Sequence, residues 1–145
     1  MKDRVLKASA EALMQALARL KEALSSIDGE DCDELHERLY ADAAIKNFEV
    51  AFEYAWKFMK AAAEHEGLEV YGPRPAIQEA TRFGWIDDPE WWAEALDARN
   101  GSVHDYFGIS MNAYMKIVRR FVTECEAMAE RIEKKTTAAN RKTRK

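Results

Sequence analysis

Apolar residues recur every three or four positions along most of the chain, the spacing that places them on one face of an α-helix. The first such stretch predicts a helix from about Val5 to Ile27, closed by Asp28-Gly29. Its apolar stripe consists of Leu6, Ala10, Leu13, Leu17, Leu20, Leu24 and Ile27. The alternating apolar and polar positions that mark β-strands are absent, so the pattern predicts an all-α protein.

The second periodic stretch predicts a longer helix from about Asp33 to Glu66, which Gly67 ends. Asp31, three residues before Glu34, is expected to cap its N-terminus. The expected apolar face comprises Leu35, Leu39, Ile45, Phe48, Phe52, Ala55, Met59 and Ala62. This face is expected to be widened by Val50, Tyr54, Trp56 and Phe58.

Two short helices are expected next, each opened by a proline in its first turn. They run from Ala76 to Phe83, and from Glu90 to Arg99 with Asp88 as the cap. In the second of them, two aromatic residues are expected to anchor the core, Trp91 and Trp92.

The last helix is expected from about Val103 to Lys135. Its apolar stripe is Phe107, Met111, Tyr114, Val118, Phe121, Cys125, Met128 and Ile132. Three long and two short helices together predict an up-down antiparallel bundle of four-helix type.

The composition agrees with one compact domain of 145 residues that buries a sizeable core, since 48% of its residues are hydrophobic and 33% are charged. No apolar run reaches 18 residues, so no membrane-spanning helix is expected. The charged N-terminal residues do not resemble a signal peptide. Cys32 and Cys125 lie far apart without metal-ligand spacing, which favours a reduced, cytoplasmic protein.

Charge is distributed unevenly between the body and the C-terminal end. The last twelve residues carry six Lys or Arg and no acid, and subtracting this +6 from the net charge of −4 leaves −10 on the rest. We therefore expect a helical domain over residues 1–133 and a flexible basic tail over 134–145. The tail could contact a nucleic-acid backbone, although a solvated terminus is the simpler interpretation.

The strongest chemical signal is the stretch from Arg99 to Tyr106, which places a cation, an amide, an imidazole and a phenol within eight residues. Asn100-Gly101 is expected to end one helix in left-handed backbone, and Ser102 to cap the next. The side chains of Arg99 and His104 would then point towards the same opening on the protein surface.

A neutral imidazole at a helix N-terminus can act as a general base near pH 7. The planar guanidinium of Arg99 suits a phosphate. Together, Arg99 and His104 could activate a ribose 2′-hydroxyl and stabilise charge on the scissile phosphate, with no metal required. The structural alternative is a core histidine at position 104 and an ion pair between Arg99 and Asp97, Asp105 or another acid.

These residues resemble a known family. Arg99-Asn100-x3-His104-x-Tyr106 is similar to the R-N-x3-H-x-Y signature of HEPN domains, which are small helical nucleotide-binding bundles. Phe48-Glu49-x2-Phe52-Glu53-x2-Trp56-Lys57 resembles a segment of the branch called nucleotidyltransferase substrate-binding proteins. The segment Ala76-x2-Glu79-Ala80-x3-Gly84-x-Ile86 and Trp92, upstream of Arg99, also fit that branch, and the resemblance covers roughly residues 6–131.

The resemblance implies a homodimeric HEPN-like bundle that brings two Arg-His motifs to one cleft, and a minimal nucleotidyltransferase as partner. In toxin-antitoxin members, the HEPN protein is a metal-independent ribonuclease, and the partner silences it by transferring AMP from ATP to the motif tyrosine. By position, Arg99 and His104 would be catalytic, Asn100 supporting and Tyr106 the adenylylated residue. The chain itself would need no cofactor, since the partner uses the ATP.

Three functions therefore stand as hypotheses. The first is a ribonuclease toxin that cleaves RNA and is neutralised by its partner. The second is a non-catalytic subunit that presents a nucleotide or substrate to the partner transferase. The third is a helical dimerisation protein in which the Arg99–Tyr106 turn has only a structural role.

Overall fold

The computed structural model describes residues 2–29, 33–101 and 111–143, with side chains up to residue 136. Its helices are α1 (Lys2–Ile27), α2 (Glu34–His65), α3 (Pro73–Arg82), α4 (Pro89–Gly101) and α5 (Met111–Thr143). Within these ranges all regular secondary structure is helical, which confirms the predicted all-α class.

Two of the long helices, α2 and α5, run in the direction opposite to α1, as contacts at the helix ends demonstrate. His65 at the end of α2 bonds Asp3 at the start of α1, with 2.6 Å between Nε2 and Oδ1. Near the start of α5, the Arg119 guanidinium bonds both carboxylate oxygens of Asp28 just after α1, at 2.9 and 3.1 Å. α2 and α5 are therefore each antiparallel to α1. No described helix has both the length and the apolar content that crossing a membrane requires.

The core is organised around four aromatic rings from three helices. Phe48 and Phe52 of α2, Trp92 of α4 and Phe121 of α5 are all fully buried. The Phe121 ring centroid lies 5.2 Å from that of Phe48, 5.8 Å from Phe52 and 5.9 Å from Trp92. Edge-to-face and tilted contacts of this kind add to the stabilisation from burial. The predicted role of Trp92 as a core anchor is confirmed, and Trp91 is also buried.

The predicted stripes of α1 and α5 largely face the core. The buried members are Leu6, Leu13, Leu17, Leu20 and Leu24 in α1, and Tyr114, Val118, Phe121, Cys125, Met128 and Ile132 in α5. Met111, by contrast, is 41% exposed. Phe107 lies outside the described residues.

The predicted apolar face of α2 is wrong at several positions. Leu35 and Leu39 are 65% and 55% exposed, and Val50 and Tyr54 are also exposed. The core-facing stripe continues instead through small residues, among them Ala41 and Ala44. Two residues along a helix correspond to about 200° of rotation, so Leu39 lies nearly opposite Ala41, and Val50 nearly opposite Phe52.

The N-terminal boundary of α2 corrects another expectation. The N-cap of α2 is Asp33 rather than Asp31, because the Asp33 Oδ1 atom accepts a hydrogen bond from the His36 backbone N–H at 2.8 Å. His65, in the last turn of α2, is half-buried, with 17% of its side chain exposed.

α5 continues beyond the predicted end at Lys135 to Thr143, since neither glycine nor proline follows to stop it. Lys135 donates to the Phe83 carbonyl, beside Gly84, whose φ of +76° ends α3 in a conformation that favours glycine. The division into residues 1–133 and a flexible tail stays a prediction.

We expect Phe121→Ala to lower the free energy of unfolding by about 3–5 kcal/mol, because it removes the ring that contacts three others and leaves a cavity. Chemical denaturation measures this loss. Val5→Ala is the control: Val5 is 53% exposed, and its replacement should change stability by less than about 0.5 kcal/mol. A loss below about 1 kcal/mol for Phe121→Ala would contradict the central place of this ring.

Asp88 should make the free energy of unfolding depend on pH in the acidic range. Its carboxylate accepts a hydrogen bond from the Trp91 backbone N–H at 3.0 Å and one from the Arg120 guanidinium at 2.8 Å. These two bonds, the backbone one first, hold the pKa of Asp88 below its usual value. The stabilisation is therefore present above the usual pKa and lost as pH falls through the lowered one. Thermal melting between pH 7 and pH 2 should reveal this component in the wild type, and Asp88→Asn should lack it.

Candidate functional site

Arg99 lies in the last turn of α4, where the buried side of the helix meets its exposed side. The core-facing side chains of α4 are those of Trp91, Trp92, Ala95, Leu96 and Ala98. Arg99 is seven residues, or about two turns, beyond Trp92, which places both on nearly the same side of the helix. The packing of Trp92 thus directs Arg99 towards α2. In this position 32% of the Arg99 side chain is exposed to solvent.

The Arg99 guanidinium contacts a carboxylate of α2. Its Nη2 atom donates to Glu53 Oε2 at 3.0 Å, and its Nη1 atom donates to the Asn100 side-chain oxygen at 3.1 Å. Arg99 and Asn100, both predicted site residues, are thus in direct contact. The two bonds engage both terminal nitrogens of the guanidinium and fix its plane.

Glu53 contacts two further polar groups on its own helix. The Trp56 indole N–H donates to Oε2 at 3.1 Å, and the Lys57 ammonium lies 3.4 Å from Oε1. Lys57 also lies 5.9 Å from the centroid of the Trp56 ring. Because residues three and four apart share a helix face, the spacing Glu53-x2-Trp56-Lys57 places all three side chains together.

Glu53 is the site residue that the interpretation of the sequence missed. The segment containing it was identified by resemblance, but nothing in the local spacing connects it with a residue 46 positions later. The ion pair expected for Arg99 in the structural alternative is therefore present, with Glu53 as the acid. Of the two partners named for it, Asp97 pairs with Arg74, at 3.1 Å between Nη2 and Oδ1, and Asp105 lies outside the described residues. Asp97 is two residues from Arg99, so it points to the other side of α4.

The expected turn at Asn100-Gly101 is a second correction. Both residues belong to α4, and the φ angle of Gly101 is not in the left-handed region. The helix therefore continues through the position predicted as its end. His104 and Tyr106, the other two predicted site residues, lie outside the described residues, as do Ser102 and Asp105. Their roles stay predictions.

The charges at the described part of the site favour an anionic ligand. Arg99 and Lys57 both contact Glu53, so these three side chains together carry one net positive charge. A guanidinium presents a planar set of N–H donors that matches phosphate oxygens, and a fixed guanidinium binds them with less loss of conformational freedom. The geometry therefore suits phosphate recognition at the end of α4.

The second segment identified by resemblance supports this end of the molecule. Ala76, Ala80 and Ile86 are buried, and Glu79 pairs with Arg82 at 2.7 Å between Oε2 and Nη2. The segment forms α3 and the turn after it, which pack beside α2 and α4. The small side chains of this segment allow the helices to approach closely. In the described structure the segment therefore helps to position α4.

The chain is similar in sequence to known proteins. Residues 8–134 match the family model described as nucleotidyltransferase substrate binding protein like. The chain is also 28% identical over 97 residues to a probable ribonuclease HepT of Haemophilus influenzae, a match that spans 63% of this chain and 66% of that protein.

A solved structure of a protein from Thermus thermophilus has a similar fold. It is 30% identical in sequence, with a TM-score of 0.68 over 83% of this chain and 98% of that chain. These matches confirm the resemblance and the HEPN-like bundle that the sequence predicted.

Proposed function

The chain belongs to the nucleotidyltransferase substrate binding protein like family, and on this premise we propose that it is a HEPN-type ribonuclease that needs no metal and has a minimal nucleotidyltransferase as its partner. The observation that carries the proposal is the Arg99 guanidinium, fixed by Glu53 and Asn100 at the end of α4. The similarity to a probable ribonuclease supports the same activity.

In the proposed reaction, the His104 imidazole removes the proton of a ribose 2′-hydroxyl. The 2′-oxygen attacks the adjacent phosphorus, and the bond from phosphorus to the 5′-oxygen breaks. The products are a 2′,3′-cyclic phosphate and a 5′-hydroxyl end, whose oxygen takes a proton from water, while the protonated His104 returns its proton to solvent. Arg99 stabilises the negative charge that develops on the phosphate oxygens, the kind of electrostatic contribution that commonly dominates catalysis.

We further propose that the active form is a homodimer and that the partner silences it at Tyr106. The phenolic oxygen of Tyr106 attacks the α-phosphorus of ATP, the bond to the β-phosphate oxygen breaks, and pyrophosphate leaves. The added AMP places a bulky anion two residues from His104. It would compete with RNA for the positive charge of Arg99 and Lys57.

A second function is favoured by the family description, which names substrate binding. On this alternative the protein presents a nucleotide or another acceptor to the transferase and cleaves nothing. Arg99 would then hold a ground-state phosphate. The alternative differs from the first proposal in two measurable ways, RNA cleavage by the protein without its partner and the molecule that receives AMP.

We expect the purified protein to cleave single-stranded RNA in EDTA, and we expect Arg99→Ala and His104→Ala each to reduce the cleavage rate by about 10²–10³-fold or more. Arg74→Ala and His36→Ala are matched controls, since both side chains are exposed and Arg74 pairs with Asp97 on the other side of α4. Neither control should lose more than about twofold. Full activity in His104→Ala would contradict the proposed chemistry.

Incubation with the partner transferase and ATP labelled at the α-phosphate should place label on the protein and lower its ribonuclease activity in proportion. Tyr106→Phe should remove the label and keep cleavage active in the presence of partner and ATP. The control is Tyr71→Phe: Tyr71 is 76% exposed, and this variant should receive as much label as the wild type. Tyr114 is buried and is therefore unsuitable as a control. Label found only on a third molecule would favour the substrate-binding function.

A further inference from the structure

We propose that Glu53 is a positioning residue for the reaction: its carboxylate orients the Arg99 guanidinium towards the scissile phosphate, and Trp56 and Lys57 hold that carboxylate in place. This inference rests on the proposed ribonuclease function. It assigns a role to three side chains of α2, a helix that carries none of the predicted catalytic residues.

The geometry supports orientation because one oxygen of Glu53 receives hydrogen bonds from two different helices. Oε2 accepts from Arg99 of α4 at 3.0 Å and from the Trp56 indole of α2 at 3.1 Å. Lys57 faces the other oxygen at 3.4 Å. A carboxylate held on both oxygens cannot follow the guanidinium if the latter rotates, so it fixes the guanidinium in turn.

Partial burial keeps these side chains more ordered than those of an ordinary surface ion pair. Only 32% of the Arg99 side chain and 33% of the Glu53 side chain remain exposed, and Trp56 is half-buried. Exposed ion pairs contribute little to stability, because solvent screens them and ordering two long side chains costs entropy. At this site that ordering is already present before the substrate binds, which is what pre-organised charge stabilisation requires.

The role of Glu53 has a definite kinetic signature. Without the Glu53 carboxylate, the guanidinium loses the acceptor that connects it to α2 and samples more rotamers, and displacement of a catalytic group by about 1 Å can cost about 100-fold in rate. Removing a negative charge beside the substrate should at the same time leave RNA binding unchanged or tighter. Glu53→Ala should therefore lower kcat by about 10–100-fold with KM unchanged or lower.

Conservative variants separate orientation from charge. Glu53→Gln keeps an oxygen that can accept from Arg99 and should retain more activity than Glu53→Ala. Trp56→Phe keeps the ring and removes only the N–H donor, so it should lower kcat by a few fold. Glu64→Ala is the matched control, because Glu64 also lies on α2, pairs with Lys60 at 2.7 Å and has similar exposure, 38%. It should leave kcat unchanged.

A double-mutant cycle decides whether Glu53 acts through Arg99. Single-turnover RNA cleavage is measured for the wild type, Glu53→Ala, Arg99→Ala and the double variant. If Glu53 positions Arg99, the double variant is no slower than Arg99→Ala. If Glu53 acts only on the fold, the two losses multiply, and that result overturns the proposal. A rise in kcat for Glu53→Ala would also overturn it, because Glu53 would then be restraining Arg99.

A second measurement tests the positioning without RNA cleavage. The ¹⁵N–¹H NMR signal of Arg99 Nε, assigned by its loss in Arg99→Ala, reports motion of the guanidinium. Glu53→Ala should make this group markedly more mobile, and Glu64→Ala should not. If the wild type cleaves no RNA, the ribonuclease proposal and the catalytic role of Glu53 both fall, while the NMR result still establishes whether Glu53 orients Arg99. Equal mobility of Arg99 in the wild type and Glu53→Ala overturns the positioning itself.

Discussion

The packing of Phe48 and Phe52 of α2 against Trp92 of α4 and Phe121 of α5 is the contact on which the rest of the structure depends. It joins three helices at one place. The described part of α4 has 13 residues, and isolated helices of that length are marginal in water. The position of α4 is therefore set by the burial of Trp91 and Trp92, and the position of Arg99 follows from it.

The same contact brings the polar groups together. Glu53 follows Phe52 in the chain, and Arg99 is two turns beyond Trp92, so the Phe52–Trp92 ring contact, 6.0 Å between centroids, lies next to the ion pair. Glu53 thus faces α4 at the edge of the core, where water is partly excluded. The apolar core and the candidate site are parts of one arrangement, since a shift of α4 would separate Glu53 from Arg99.

Periodicity in the sequence predicted the class of fold and most of the core, because the stripes of α1 and α5 repeat every three or four residues without interruption. It failed in α2, where Leu35, Leu39 and Val50 are apolar but lie away from the stripe, and where Ala41 and Ala44 face the core. Alanine carries a weak hydrophobic signal, so the angular position on the helix was the better guide than side-chain size. The turn predicted at Asn100-Gly101 failed because a residue that tolerates left-handed backbone is not obliged to adopt it.

Arg99 and Asn100 were identified from the sequence, and the structure brings them into contact. Glu53 was not identified as their partner, because contacts between residues 46 positions apart follow from the packing of helices rather than from local spacing. In the reaction that we propose, Arg99, held in this way, stabilises the phosphate charge that develops when a 2′-hydroxyl of the RNA attacks the adjacent phosphorus. The most direct measurement compares an RNA oligonucleotide with the same oligonucleotide carrying a single 2′-deoxy sugar at the cleaved position. We expect 2′,3′-cyclic phosphate and 5′-hydroxyl ends from the first and no cleavage at that position in the second. Equal cleavage of both would contradict the account.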